Sequence, residues 1–208
     1  YEQWLNAPAL SQQEQEELRA IQKDKMELRE RFYAPLAFGT AGLRGTMKVG
    51  LHHMNVHVVR WVTQGFAEVI CAESDWAGDR KAAVCMDGRK NSRRFAEAAA
   101  EVLAANGITV YLFDGPRPTP ELSFAVRAYG CLAGINITAS HNPKEYNGYK
   151  AYWCDGAQLQ TETAMAVSAR LEEIDVFAGP KRMDLQRGIE LGRICLLGRS
   201  CDEAYLKA

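Results

Sequence analysis

Ala82-Ala-Val-Cys-Met86 is a short, unbroken apolar run. Such a run reads as a strand buried on both faces, because a strand with one wet face alternates. The residues after it decide how the strand is used. Asn91 to Asn106 carries Phe95, Ala98, Ala99, Val102 and Leu103 on one helical face, with Gly107 placed as the residue just past the helix end. Ile108 to Phe113 is rich in β-branched and aromatic residues and predicts a second strand. Pro120 to Tyr129 predicts a short helix with proline in its first turn. Cys131 to Thr138 predicts a third buried strand. Strand, helix, strand, helix, strand implies parallel pairing through right-handed crossovers. The expected fold class is α/β: three layers, with helices on both faces of a mixed, mainly parallel sheet.

Outward from that block, Tyr149 to Trp153 predicts an added antiparallel strand and Thr161 to Ile174 a further helix. Upstream, Val58, Val59, Val62, Phe66, Val69 and Ile70 recur at helical spacing and predict a strongly one-faced helix over Asn55 to Ser74. Ser11 to Glu14 reads as a capping box. It opens a polar helix expected to run to about Arg31 on a narrow stripe of Leu18, Ile21 and Leu28. Beyond Asp175 the pattern weakens, with Gly179-Pro180 as a break and Asp202 to Ala208 as the start of a helix. The domain expected is 1–190, followed by a connector over 191–208 toward a second domain. The first residue is Tyr1, so a trimmed beginning is expected.

The chain has 208 residues, enough for one domain with a full core, and a formal net charge of -1. That balance gives no reason to expect nucleic acid or a charged membrane as partner. Trp4, Trp61, Trp76 and Trp153 are too scattered for a base-stacking platform. No apolar stretch has the length to span a bilayer, and no signal peptide is visible. The six cysteines form no C-x-x-C pair, and Cys85 and Cys131 sit inside apolar runs. Such usage fits a reducing cytoplasm, the location expected. His52, His53 and His57 have no carboxylate or cysteine at ligand spacing and read as structural or exposed.

Asp87, Asp114 and Ser140 each directly follow a predicted strand. In an open parallel sheet the carboxyl ends of the strands form one ligand-binding rim. The most informative segment is Thr138-Ala-Ser-His-Asn-Pro-Lys-Glu-Tyr-Asn-Gly-Tyr-Lys150. It offers a hydroxyl at Ser140, an imidazole at His141 and ammonium groups at Lys144 and Lys150. Chemistry on a phosphorylated substrate needs a nucleophile, a proton carrier and cations for phosphate oxygens. The plainer reading makes Asn142-Pro143 and Asn147-Gly148 two turns with solvating polar residues. Phe38-Gly-Thr-Ala-Gly-Leu-Arg-Gly45 has glycine at every third position. That spacing is neither a dinucleotide fingerprint nor a P-loop. It reads either as a backbone nest with Arg44 on an anion or as a flexible hairpin with one exposed arginine. Asp87-Gly-Arg-Lys-Asn-Ser92 opens a helix, so its N–H groups, Arg89 and Lys90 suit an anion. Asn91 and Ser92 equally suit helix caps.

In this order and spacing, Phe38 to Gly45, Asp87-Gly-Arg89, Pro118-Thr-Pro120, Thr138 to Pro143 and Asn147 to Lys150 resemble the first domain of the α-D-phosphohexomutases. The amino-terminal helix and the wording of residues 139–150 resemble the branch with phosphoglucomutases and phosphopentomutases. The resemblance covers about Trp4 to Gln160. It implies that Ser140 carries a phosphoryl group and gives it to a sugar monophosphate. The resulting bisphosphate reorients and returns its other phosphate to the serine. It further implies His141 and Lys150 beside the phosphoserine, with Lys150 as general acid/base, and Arg44 and Thr40 on phosphate or substrate. Asp87 and Arg89 are implied as supporting and binding residues of the same site. Mg²⁺ on a phosphoserine oxygen and a glucose 1,6-bisphosphate-type activator are the implied cofactors, and phosphorylated sugars the partners.

That family holds its metal with a D-x-D-x-D type loop in a second domain, and no such loop occurs here. The expectation is a first-domain piece, inactive as a mutase without the later domains. The reaction expected is sugar 1-phosphate to sugar 6-phosphate, glucose phosphate first. Mannose, glucosamine or pentose phosphate, and a non-catalytic phosphosugar-binding module, are the alternatives. A serine hydrolase fits poorly, since there is no G-x-S-x-G elbow.

Overall fold

The structure, a computed structural model, describes residues 1–208. Its centre is a six-stranded sheet in the order β1-β5-β4-β2-β3-β6. The strands are β1 (Leu43–Thr46), β2 (Lys81–Met86), β3 (Thr109–Phe113), β4 (Ala133–Ile137), β5 (Tyr146–Trp153) and β6 (Ile194–Leu197). β4, β2, β3 and β6 run parallel, while β5 returns antiparallel along β4 and carries β1 antiparallel on its far edge. The mixed, mainly parallel α/β sheet read from the sequence is therefore the one observed. Every residue of β4 is buried and β2 is buried from Ala82 on, as central strands covered on both faces require.

Helices α1 (Glu2–Leu5), α2 (Gln12–Ala20), α3 (Lys25–Phe32), α4 (Val56–Ala72), α5 (Ser92–Ala105), α6 (Thr119–Ala128), α7 (Thr161–Glu173), α8 (Leu185–Glu190) and α9 (Arg199–Lys207) surround it. α5 lies on β2, β3 and β4, and α4 packs against both α5 and α7, with Phe66 meeting Trp153 of β5. This face holds the main core, with Val58, Val62, Phe66 and Ile70 of α4 fully buried. The opposite face is thinner. α6 covers β2 and β4, α9 packs on α6, and a smaller core forms around Cys85, Phe113, Leu122, Val126 and Tyr152. Asn55 starts α4 twice over, its Oδ1 accepting from Val58 N at 3.0 Å and its Nδ2 donating to Gly50 O at 2.8 Å.

Three segments differ from the sequence reading. The single helix expected to run to Arg31 is two, because the Asp24 carboxylate accepts from Met26 N and Glu27 N and starts a new helix there. The capping box at Ser11 and Glu14 is present as read. β1 and β6 were not anticipated as strands: each is a four-residue edge strand with partial exposure, too short for a clear alternation. As a result, residues 194–197, assigned to a connector, pair with β3 in the same sheet, and α9 docks on α6.

Candidate functional site

Parallel pairing of β2, β3 and β4 brings Asp87, Asp114 and Ser140 to the same carboxyl-end rim. β5 and β1 extend the rim sideways. Thr138 N donates to Gly148 O at 3.0 Å, and Gly148 stands opposite Arg44 in the β1–β5 register. Three chain segments thus pass within one strand spacing of each other. Gly148 permits this: a β-carbon there would lie 2.6 Å from Thr138 O and 3.1 Å from Leu43 O. Gly42 is equally constrained, with φ +75° and room only for hydrogen against Tyr149 O.

The serine segment leaves β4 through two successive turns, closed by Asn142 N to Ala139 O (3.1 Å) and Tyr146 N to Pro143 O (3.0 Å). Ala139 is buried and Ser140, the next residue, is exposed. Ser140 adopts φ +57°, one of two non-glycine residues with positive φ. A serine is strained in that conformation, so the surroundings must hold it. Its N–H donates to Thr138 Oγ1 at 3.0 Å, while its hydroxyl has a single contact, 3.4 Å to His141 Nδ1. Arg44 reaches across from β1, its Nη1 donating to Asn142 Oδ1 at 2.6 Å. Ser140, His141 and Arg44 are therefore assembled around one loop.

Arg89 is what holds that loop. Its Nη2 donates to Ser140 O (2.8 Å) and Asn142 O (2.7 Å), and its Nη1 to Pro143 O (2.8 Å) and Tyr146 O (3.2 Å). Nε faces Asp87 Oδ2 at 3.2 Å. The four Nη N–H groups of the guanidinium are thus all taken by carbonyls, and Nε is turned to a carboxylate. Asp87 Oδ1 in turn accepts from Arg89 N at 2.9 Å and Ser92 Oγ at 2.7 Å. These bonds engage Asp87 and Arg89 inside the protein, where they fix the backbone of residues 140–146, while both also line the adjoining cleft. Asn91, at the N-cap position of α5, makes no side-chain cap bond either.

Lys150 stands on β5 opposite Asn136, half-buried, its ammonium without a hydrogen-bond partner. Asn136 Nδ2 donates to Thr119 Oγ1 at 2.8 Å, which ties β4 to the start of α6. Thr40 lies exposed in the tight turn between Gly39 and Gly42 and makes no side-chain hydrogen bond. An open cleft of about 980 Å³ adjoins the loop, lined by Lys48, Lys90 and Lys144 together with Asp87, Arg89 and Asn142. Ser140 is not in its wall. Phosphorylated ligands suit this basic margin better than neutral ones do.

The family profile of the phosphoglucomutase/phosphomannomutase α/β/α domain I matches residues 35–177. The chain belongs to this family. Phosphoglucomutase of Staphylococcus aureus (strain USA300) is 44% identical over 153 residues, 74% of this chain and 27% of that protein. The chain thus spans about a quarter of the length of the curated relatives it matches. A solved structure from Thermus thermophilus, described as a putative phosphomannomutase, superposes with a TM-score of 0.61 at 33% identity. The match covers 74% of this chain and 34% of that one. Paramecium parafusin, a phosphoglucomutase in open form, shares the fold at TM-score 0.56 and 24% identity, over 69% of this chain and 26% of its own.

Within this domain I, the site contains two residues whose role the sequence reading missed. Asn147 and Ser92 are both fully buried. Asn147-Gly148 had the dipeptide signature of a turn, yet both residues lie within β5. The missed signal was position: Asn147 is followed by Tyr149 and Ala151 on the same face, and those are core residues. Asn142-Pro143 does occupy turns, as that signature implies. The three early histidines are structural. His52 Nδ1 bonds Ala34 O, His53 Nδ1 bonds Thr46 Oγ1, and His57 Nε2 bonds Glu14 Oε1.

No group of three His, Cys, Asp or Glu side chains comes together anywhere in the fold. The neighbours of Ser140 are basic or amide groups, and the Asp87 carboxylate is already taken. The residues present therefore do not make up a Mg²⁺ site. No helix is long and apolar enough to cross a membrane.

Proposed function

We propose that the chain is the phosphoryl-carrying domain of a phosphosugar mutase that interconverts sugar 1-phosphate and sugar 6-phosphate, with glucose phosphate as the first substrate. One observation carries the reading. Ser140 has its backbone fixed through Arg89 and Thr138 while its hydroxyl stays exposed beside His141 and Arg44. Phosphoryl transfer asks a protein mainly for positioning and charge stabilisation, and this loop is organised for both. In the forward step the bond between phosphorus and Ser140 Oγ breaks and one to a sugar hydroxyl oxygen forms. The sugar hydroxyl gives up its proton and Ser140 Oγ ends the exchange protonated. Lys150 is the proposed carrier of that proton. Arg44 and His141 meet the non-bridging oxygens, and Thr40 on its exposed turn is placed to follow.

Glucose is favoured by the phosphoglucomutase relatives, and mannose is the second reading, favoured by the Thermus neighbour. A sugar bisphosphate activator, a cytoplasmic location, inactivity of the 208 residues alone, and Mg²⁺ held by groups outside these residues belong to the same proposal. The test is mass spectrometry on the whole protein, followed for each sugar 1-phosphate by a rate assay. A phosphate on the peptide containing Ser140, absent in Ser140→Ala together with all turnover, is expected. Full turnover by Ser140→Ala would end this reading.

A further inference from the structure

Behind the clamp on the serine loop lies a chain of buried polar groups to which no role has been assigned so far. Asn147 Nδ2 donates to Ser92 Oγ at 3.0 Å and to Lys90 O at 3.1 Å. Its Oδ1 accepts from Gly148 N at 2.8 Å. Ser92 Oγ, having accepted from Asn147, donates its one proton to Asp87 Oδ1 at 2.7 Å. Asp87 then holds Arg89 through both backbone N and Nε, and Arg89 holds the four carbonyls of residues 140, 142, 143 and 146. Ser92 and Asn147 are each 0% exposed, so no water competes for the bond between them.

Direction is fixed at each link: the Asn147 amide donates to the Ser92 hydroxyl and that hydroxyl to the Asp87 carboxylate, while from the other side the Arg89 guanidinium faces the same carboxylate and donates to the carbonyls. A network directed in this way has one arrangement. A half-satisfied one would leave polar atoms orphaned in the core. Two strands and one helix meet in it, since Asn147 comes from β5, Ser92 opens α5 and Asp87 ends β2. The strained end is Ser140 at φ +57°, which relaxes unless its carbonyl is gripped.

We infer that Ser92 and Asn147 are positioning residues for Ser140: they orient the Asp87 carboxylate so that Arg89 keeps the serine loop, and with it the reactive hydroxyl, in one place. The inference rests on the phosphoryl-transfer reading for its catalytic consequence and on geometry alone for its structural one. The two are separable by experiment. In the full-length protein, Ser92→Ala removes one oxygen and leaves Asp87 and Asn147 without their shared partner. Asp87→Asn keeps the shape and removes the charge.

Amide hydrogen exchange over residues 139–146 should speed up by about tenfold or more in each variant, with α4 and α7 unchanged. Serine-phosphorylated variants should show kcat lowered about 10–100-fold with KM within roughly twofold of the parent. Unchanged exchange in residues 139–146, or an equal rise across the whole chain, would overturn the inference. Should the parent protein carry no phosphate on Ser140, the functional reading fails while the exchange result still decides whether the relay holds the loop.

Discussion

Two arginines follow two neighbouring parallel strands, and each comes just after an aspartate: Asp87 and Arg89 beyond β2, Asp114 and Arg117 beyond β3. They use their donors in opposite ways. Arg89 gives four bonds to neutral carbonyls of one loop and has a single carboxylate at its back. Arg117 sits among carboxylates. It grips Asp202 of α9 with Nε at 2.6 Å and Nη2 at 2.9 Å, touches Asp114 at 3.1 Å and faces Glu121 at 4.0 Å. The first arginine shapes backbone; the second fastens a helix by charge. Carbonyls do not titrate, so the four bonds from Arg89 to the serine loop involve no acceptor whose charge changes with pH. The α9 attachment does, because three carboxyl groups share one cation.

The contrast between the arginines is tested hardest at Arg89. Arg89→Met should lower phosphoryl transfer by about 100-fold in the full-length protein, because a reactive atom displaced by an ångström costs that much. Retention of the parent rate would mean that the loop holds itself. Arg117→Met should leave transfer by Ser140 nearly intact and destabilise the domain by about 2 kcal/mol, measured by urea unfolding, since it strands Glu121 and Asp202 without a cation.

A smaller effect separates the two regions by pH. Burial, then the hydrogen bond and charge of Asp202, pushes Glu121 up to about 7. A carboxyl that binds its proton more tightly when folded stabilises the fold most below its unfolded value, near 4.5. That contribution fades as pH climbs from there to about 7. Asp202 is shifted the other way by Arg117, so its contribution is lost only at more acidic pH. Glu121→Gln should remove the decline in melting temperature between pH 5 and 7, about a few degrees, and leave exchange in residues 139–146 untouched. A decline that persists in the variant would rule out Glu121 as its source.

The smallest effect lies away from both arginines. Burial works to raise Glu14, but hydrogen bonds from His57 and Ser11 outweigh it and hold the carboxyl at about 2. A depressed carboxyl stabilises above its unfolded value and loses that contribution as pH falls toward 2. Glu14→Gln should cost about 1 kcal/mol at pH 6 and flatten the acid limb of the stability curve.

The part of the molecule legible in its residues follows a physical divide. β2, β3, β4 and the one-faced helix α4 announce themselves because burial on both faces, or on one stripe, leaves a periodic trace. β1 escaped because Leu43-Arg-Gly-Thr46 has no such trace; only its partner, Tyr149 to Tyr146, makes it a strand. β6 escaped for the same reason, with Leu196 left 55% exposed. At the site, Ser140, His141 and Arg44 were legible as chemistry because their side chains reach solvent. For Arg89 the sequence shows a cation, and only the coordinates show the four loop carbonyls that it bonds. Ser92 and Asn147 were taken for a cap and a turn, since short polar residues favour those positions and their long-range partners lie 55 positions apart in the chain.

The sheet order has a consequence for how the protein is made. Of these six strands β1 is synthesised first, yet its sole neighbour is β5, so Leu43 waits for Tyr149. Until then the arm bearing Arg44 has nothing to zip onto, and the flank of β4 stands open. A nascent chain halted before Tyr146 would leave β1, β4 and β3 each without a partner strand that they have in the finished sheet. Clumping with other unfinished copies, ahead of any loss of chemistry, is the hazard that this topology builds in.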